Sequence, residues 1–361
     1  MPSSRPRSLL PHCFALLYGL SIVYASLQPF SPWIAPEPGT RFFLFAWQPR
    51  LPRYDLILNV CAYVPFGLFA ALVPRRASPA RRAAIALAAG VGLSFAMETL
   101  QMFVPPRVAN TIDVLSNGLG AGLGGIAGAL LVHSARMQRR LRGFRERWFL
   151  PGRGVDFGIA LLAIWLTAQA NPGIPLFAST FDASPQLAAV AHAATAEPDL
   201  AAIFVEGAHS GFQLLGVGLF LALLLREGRL VGGGVFALIG AALLIKGIAA
   251  TLLLKPAAWE QWLSPGVSIG VAAGALALTT AIWIPRPAQI ALATVALLSS
   301  LLVTLLAPDM VLAGAPLSLF SGSYGHLLNF NGLTRTVLSI WPILASAFLF
   351  ALAGRPGWGA P

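Results

Sequence analysis

The chain has 361 residues, of which 57% are hydrophobic and only 10% charged, and its mean hydropathy is positive. A soluble fold of this size carries far more polar surface, so that class is excluded. The net charge of +11 comes from 22 Arg and 2 Lys against 13 acids. The arginines cluster in short segments between apolar runs, which is a topology signal rather than a nucleic-acid surface.

The apolar runs predict an all-α, polytopic integral membrane bundle of about ten spans, each near the ~20 residues that cross a bilayer. In chain order they fall near 10–29, 54–74, 83–104, 112–132, 155–172, 202–225, 230–254, 264–284, 288–307 and 337–353. The runs at 155–172 and 337–353 are the shortest. The first span has a basic start and a "VYA" ending at Ala25, so a cleaved signal peptide competes with a retained span. Cys13 and Cys61 both lie in apolar runs and read as core packing, not as a disulfide or zinc framework.

The second span carries Asp55 and Asn59 one turn apart, then Pro65-Phe66-Gly67, where the proline removes a backbone hydrogen bond and bends a helix. The third carries Ser94, Glu98 and Gln101 at i, i+4 and i+7, one stripe of a helix. Arg107 sits in the short loop that follows. The fourth span places Asp113, Asn117, Gly120 and Gly124 along one stripe. Its two glycines have the spacing that lets membrane helices approach closely.

The arginine-rich segment 136–154 divides four spans from six. The expected organisation is a four-helix domain over 1–135, a basic cytoplasmic linker over 136–154 and a six-helix domain over 155–361. With the N-terminus in the cytoplasm, seventeen basic residues fall on the cytoplasmic side and six on the other, and Lys246 lies inside a span. That excess fits the positive-inside rule and returns the C-terminus to the cytoplasm. The linker's charges suit anionic lipid at the inner leaflet, though topology alone accounts for them.

Three pieces of the first four spans carry a family resemblance. They are "NVCAYVPFG" with Asn59 and Pro65-Phe66-Gly67, "SFAMETLQ" with Ser94, Glu98 and Gln101, and Arg107-x5-Asp113-x3-Asn117-x2-Gly120-x3-Gly124. In this order and spacing, residues 10–132 resemble a VanZ-like domain. The resemblance implies a small bacterial membrane family, named for a protein linked to resistance to teicoplanin, a lipoglycopeptide that acts at the outer membrane surface. It implies no cofactor, and the six later spans resemble no family.

Charged groups in hydrocarbon cost roughly 2.5–3.5 kcal/mol each on insertion scales, so Glu98, Arg107 and Asp113 need either a partner or a use. One reading joins Asp55, Asn59, Ser94, Glu98, Gln101, Arg107, Asp113 and Asn117 into a polar pocket at the outer face. Arg107 would neutralise one carboxylate or bind an anionic headgroup. The other reading is a structural ion pair with interhelical hydrogen bonds.

The second half repeats the style. Glu206, His209 and Gln213 share one face, Lys246 lies mid-span with Glu206 as one partner to consider, and "GSYGHLLNFNGLTR" reads as a loop holding His326, Asn329, Asn331 and Arg335. The long loops near 173–201 and 308–336 are expected to contain interfacial or re-entrant pieces.

No Cys/His, Ser/His/Asp or phosphate-loop constellation is found, so the catalytic residues are unknown and no metal or cofactor is expected. The leading expectation is a multi-pass protein of the bacterial inner (cytoplasmic) membrane. It would bind a membrane lipid or lipid-linked envelope precursor at the outer leaflet, with no nucleic-acid partner. Two alternatives stay open. One is an integral membrane enzyme with Glu98 or Asp113 as general base and His209 or His326 as partner. The other is a transporter.

Overall fold

The computed structural model describes residues 8–45, 53–105, 107–179, 200–260, 262–307, 320 and 324–354. Eleven α-helices and no β-strand occur among them: α1 Leu10–Leu27, α2 Arg53–Leu72, α3 Pro79–Gln101, α4 Thr111–His133, α5 Ala135–Trp148, α6 Arg153–Ala168, α7 Leu200–Leu224, α8 Gly228–Leu253, α9 Pro265–Ala281, α10 Arg286–Leu306 and α11 Tyr324–Ala353. Every expected span has a helix, and α5 is an additional one. Eight helices are long and apolar enough to cross a membrane, whereas α6 and α9 have 16 and 17 residues. The chain is a multi-pass membrane protein, in which helices satisfy the backbone polar groups that lipid cannot.

Local chemistry sets several helix starts. Ser78 caps α3 and Ser264 caps α9, each followed by proline in the first turn, and the Asn110 side chain accepts from the Ile112 N–H at the start of α4.

The chain divides into two compact units, Met1–Glu146 and Arg147–Pro361. In the first, α4 packs against both α2 and α3, and α1 lies against α2 and α3. The contact of α2 with α4 is set by glycine: a Cβ on Gly120 would strike the Val60 carbonyl, and one on Gly124 the Val64 carbonyl. At the opposite end of this unit, Arg82 is 5% exposed, and its guanidinium donates to the carbonyls of Ala71, Arg75 and Ala77. It thus closes the α2–α3 turn, a role beyond the topology charge it carries.

In the second unit α7 packs against α9 and α10, and α11 against α6 and α10. Trp165, Trp341, Phe220 and Phe177 form its aromatic centre, and the Trp341 Nε1–H donates to the Leu161 carbonyl at 2.7 Å.

Three expectations need correction. The last span is not short: α11 has 30 residues, with a span-length apolar part from Phe330 to Ala353. The segment holding His326, Asn329, Asn331 and Arg335 is therefore helical, not a loop. Its glycines and asparagines favour turns, but burial of Thr334, at 3% exposed, and bonding of Asn331 override that propensity. The cysteines are not core residues either, since Cys13 is half-buried and Cys61 exposed.

Candidate functional site: a polar cluster at the α3–α4 end of the first unit

The cluster is built where α3 ends and α4 begins. Glu98 is 4% exposed, and its Oε2 accepts the Asn110 backbone N–H at 2.7 Å. A buried carboxylate thus sits at the head of α4, where the unpaired N–H groups and the positive helix end favour negative charge. In the first turn of α4, Asp113 accepts from the Asn59 amide of α2 at 2.8 Å. A turn deeper, Asn117 donates to the Ser94 hydroxyl of α3 at 2.9 Å, and Ser94 is fully buried. Among the described residues the Asn117 Oδ1 has no hydrogen-bond partner.

Two members were not foreseen in the sequence. Tyr63, 4% exposed, lies beside Ser94 and within electrostatic reach of Glu98 and Asp113. It falls one turn after Asn59, which is the signal that would have found it. Asn110 is the second, and its position just before an apolar run marks a helix cap.

Arg107 and Gln101 hold the end of α1. The Arg107 Nε donates to the Gln28 carbonyl at 3.1 Å, and its Nη2 to the Ala25 and Gln28 carbonyls at 3.0 and 2.9 Å. Gln101 donates to the Ser26 carbonyl at 2.9 Å. These bonds satisfy carbonyls that a helix C-terminus leaves open. Burial holds the Arg107 guanidinium below its ordinary pKa, and the charge of nearby Glu98 opposes that shift. Asp55 is half-buried near the start of α2, one turn before Asn59.

The preceding segment is fastened to the same end: Thr111 donates to the Phe43 carbonyl at 2.9 Å, and the Ile34 N–H donates to the Phe103 carbonyl. Phe43 is 2% exposed and packs against Phe95. The structure therefore brings Asn59, Ser94, Glu98, Asp113 and Asn117 into one cluster, with Arg107 and Gln101 beside it reaching the α1 terminus.

The secondary candidates form a different arrangement. Lys246 is fully buried and does not meet Glu206; its Nζ donates to the Asn171 and Ile174 carbonyls, both at 2.8 Å. The reason is geometric: residues 169–179 follow α6 without regular helix and all but the half-buried Ala170 are buried, so their main-chain groups need partners. His209 accepts the Ser179 N–H at Nε2, 2.8 Å, and its Nδ1 faces the Ser300 carbonyl at 3.0 Å, which fixes the Nδ1–H tautomer. Glu206 accepts instead from the Ser264 hydroxyl, so Glu206 and His209 do not bond each other.

Asn171 donates to Asn331 and Thr334 of α11, and Arg335 donates to Asn331. Gln213 is fully buried, and neither of its amide atoms is hydrogen-bonded among the described residues; the same holds for Gln169. The side chains of His326 and Asn329 lie outside the described residues. Among the described residues no three His, Cys, Asp or Glu side chains gather as metal ligands.

No curated protein and no solved structure matches the chain. One family model does match, described as VanZ/LLP1 and covering residues 13–132, so the membrane-spanning helices α1–α4 and the polar network they hold form a VanZ-like domain.

Proposed function

We propose that the VanZ-like unit recognises an amphiphile, a lipid or lipid-linked envelope component, at the outer leaflet of a bacterial cytoplasmic membrane. The orientation rests on the excess of seventeen basic residues over six, which places both termini in the cytoplasm and the Glu98–Asp113 end outside.

The observation that carries the reading is the position of Glu98 and Asp113. Two carboxylates lie within electrostatic reach of each other at the end of a helical unit; Asn110 N–H and the Asn59 amide, both neutral donors, bond to them, and Arg107 lies within electrostatic reach of Glu98. Such a pair suits a headgroup rich in hydrogen-bond donors, hydroxyl or ammonium, better than a bare phosphate. Leu115, Leu119, Leu123, Ile126 and Leu130 form an exposed apolar stripe down α4, a surface for acyl chains beside the polar end. Arg107 acts as a positioning residue that keeps α1 against the cluster.

Lipids co-purifying with wild type and with Asp113→Asn provide the test, identified by mass spectrometry after extraction. The proposal expects one lipid class enriched over the membrane average in wild type and reduced to that average in the variant. The same composition in both preparations would contradict it.

A further inference from the structure

Helix α5, "ARMQRRLRGFRERW", begins one residue after the spanning helix α4 ends. The Ser134 hydroxyl accepts the Met137 N–H, and the Gln138 amide donates back to the Val132 carbonyl, so the junction is built by the chain itself. No residue of α5 is buried. Met137, Leu141 and Phe144, at i, i+4 and i+7, form one apolar stripe and are 41%, 48% and 57% exposed. Arg136, Arg139, Arg140, Arg142 and Arg147 are exposed on the remainder of the helix, with Glu146 as its one acid. A helix this basic cannot cross hydrocarbon, and one that follows directly on a membrane span cannot leave the surface far behind.

We infer that α5 is an interfacial helix that lies on the membrane and binds anionic lipid headgroups. Met137, Leu141 and Phe144 enter the headgroup–acyl boundary, and the arginines contact phosphates of the same leaflet. The occupant is argued from charge complementarity and from continuity with α4, which delivers the stripe to the bilayer surface. The positive-inside balance places that surface on the cytoplasmic side. This site is separate from the Glu98–Asp113 cluster and does not depend on the amphiphile reading.

Hydrogen exchange on the full-length protein tests it, in nanodiscs of pure phosphatidylcholine and in nanodiscs of phosphatidylcholine with a quarter phosphatidylglycerol. Amides of α5 are expected to exchange about tenfold more slowly in the anionic discs, with α1–α4 unchanged, and the difference should collapse near 1 M salt. A Met137→Ser/Leu141→Ser variant keeps every arginine, and so the topology signal, and should lose most of the protection. Equal exchange in the two compositions overturns the inference, and so does a difference that the serine variant leaves intact. Protection that is independent of lipid, as docking on protein would give, overturns it as well.

Discussion

In the N-terminal unit, the cluster at the α3–α4 end holds side-chain bonds that cross helices, Asn59 to Asp113 and Asn117 to Ser94, beside the buried Glu98. In the C-terminal unit the two buried bases bond to main chain, Lys246 to two carbonyls and His209 to the Ser179 N–H and the Ser300 carbonyl. The second arrangement follows from a non-helical stretch, residues 169–179, whose backbone would otherwise be buried without partners. The first gathers two carboxylates, which are costly to bury. On the reading proposed above, the comparison separates polar residues that hold a fold from polar residues offered to a ligand.

Substitutions can break or sharpen that contrast. The largest effect is expected from Gly124→Leu, because its Cβ would strike the Val64 carbonyl and the Leu68 nitrogen of α2. A loss of about 3 kcal/mol or more in stability is expected. Gly92→Ala meets nothing within 4 Å and should be neutral or slightly stabilising, as read from thermal unfolding in detergent.

Lys246→Met comes next, since it takes the Nζ donor from the buried Ile174 carbonyl and leaves the Asn171 carbonyl only the long bond from the Ile174 N–H, 3.4 Å. At about 1–3 kcal/mol for each unsatisfied group, unfolding should shift strongly, and hydrogen exchange should rise in residues 169–179. His209→Ala removes the acceptor for the Ser179 N–H and should cost about 1–3 kcal/mol, with lipid content unchanged.

A small stability effect is expected for Glu98→Gln. The amide oxygen can still accept from the Asn110 N–H, so unfolding should move by less than about 1 kcal/mol while the bound lipid is lost.

The ten spans were legible because hydropathy and length together mark a membrane helix, and the Glu98–Asp113 network because i, i+4 and i+7 spacing aligns polar residues on one face. The buried 169–179 segment was less so. "QANPGIPLFAS" gives turn signals at Asn171-Pro172-Gly173, but backbone carbonyls carry no sequence signature, so nothing along the chain pairs Lys246 with Asn171 and Ile174. Glu206 looked like its partner only because acids and bases are visible in a sequence and carbonyls are not. The start of α11 was obscured by Gly325, Asn329, Asn331 and Gly332, whose turn preference yields to tertiary bonding with Asn171. For Arg107, charge was legible but its role at the end of α1 was not, because a capping contact 79 residues away in sequence leaves no periodicity.

The most direct test of the contrast is native mass spectrometry of two folded variants beside wild type, Glu98→Gln from the first unit and His209→Gln from the second, read as occupancy of the retained lipid. The account predicts a defined adduct on wild type and on His209→Gln, and at least tenfold lower occupancy on Glu98→Gln. An adduct equally retained by Glu98→Gln, or lost only from His209→Gln, would contradict it and make the Glu98 cluster part of the scaffold.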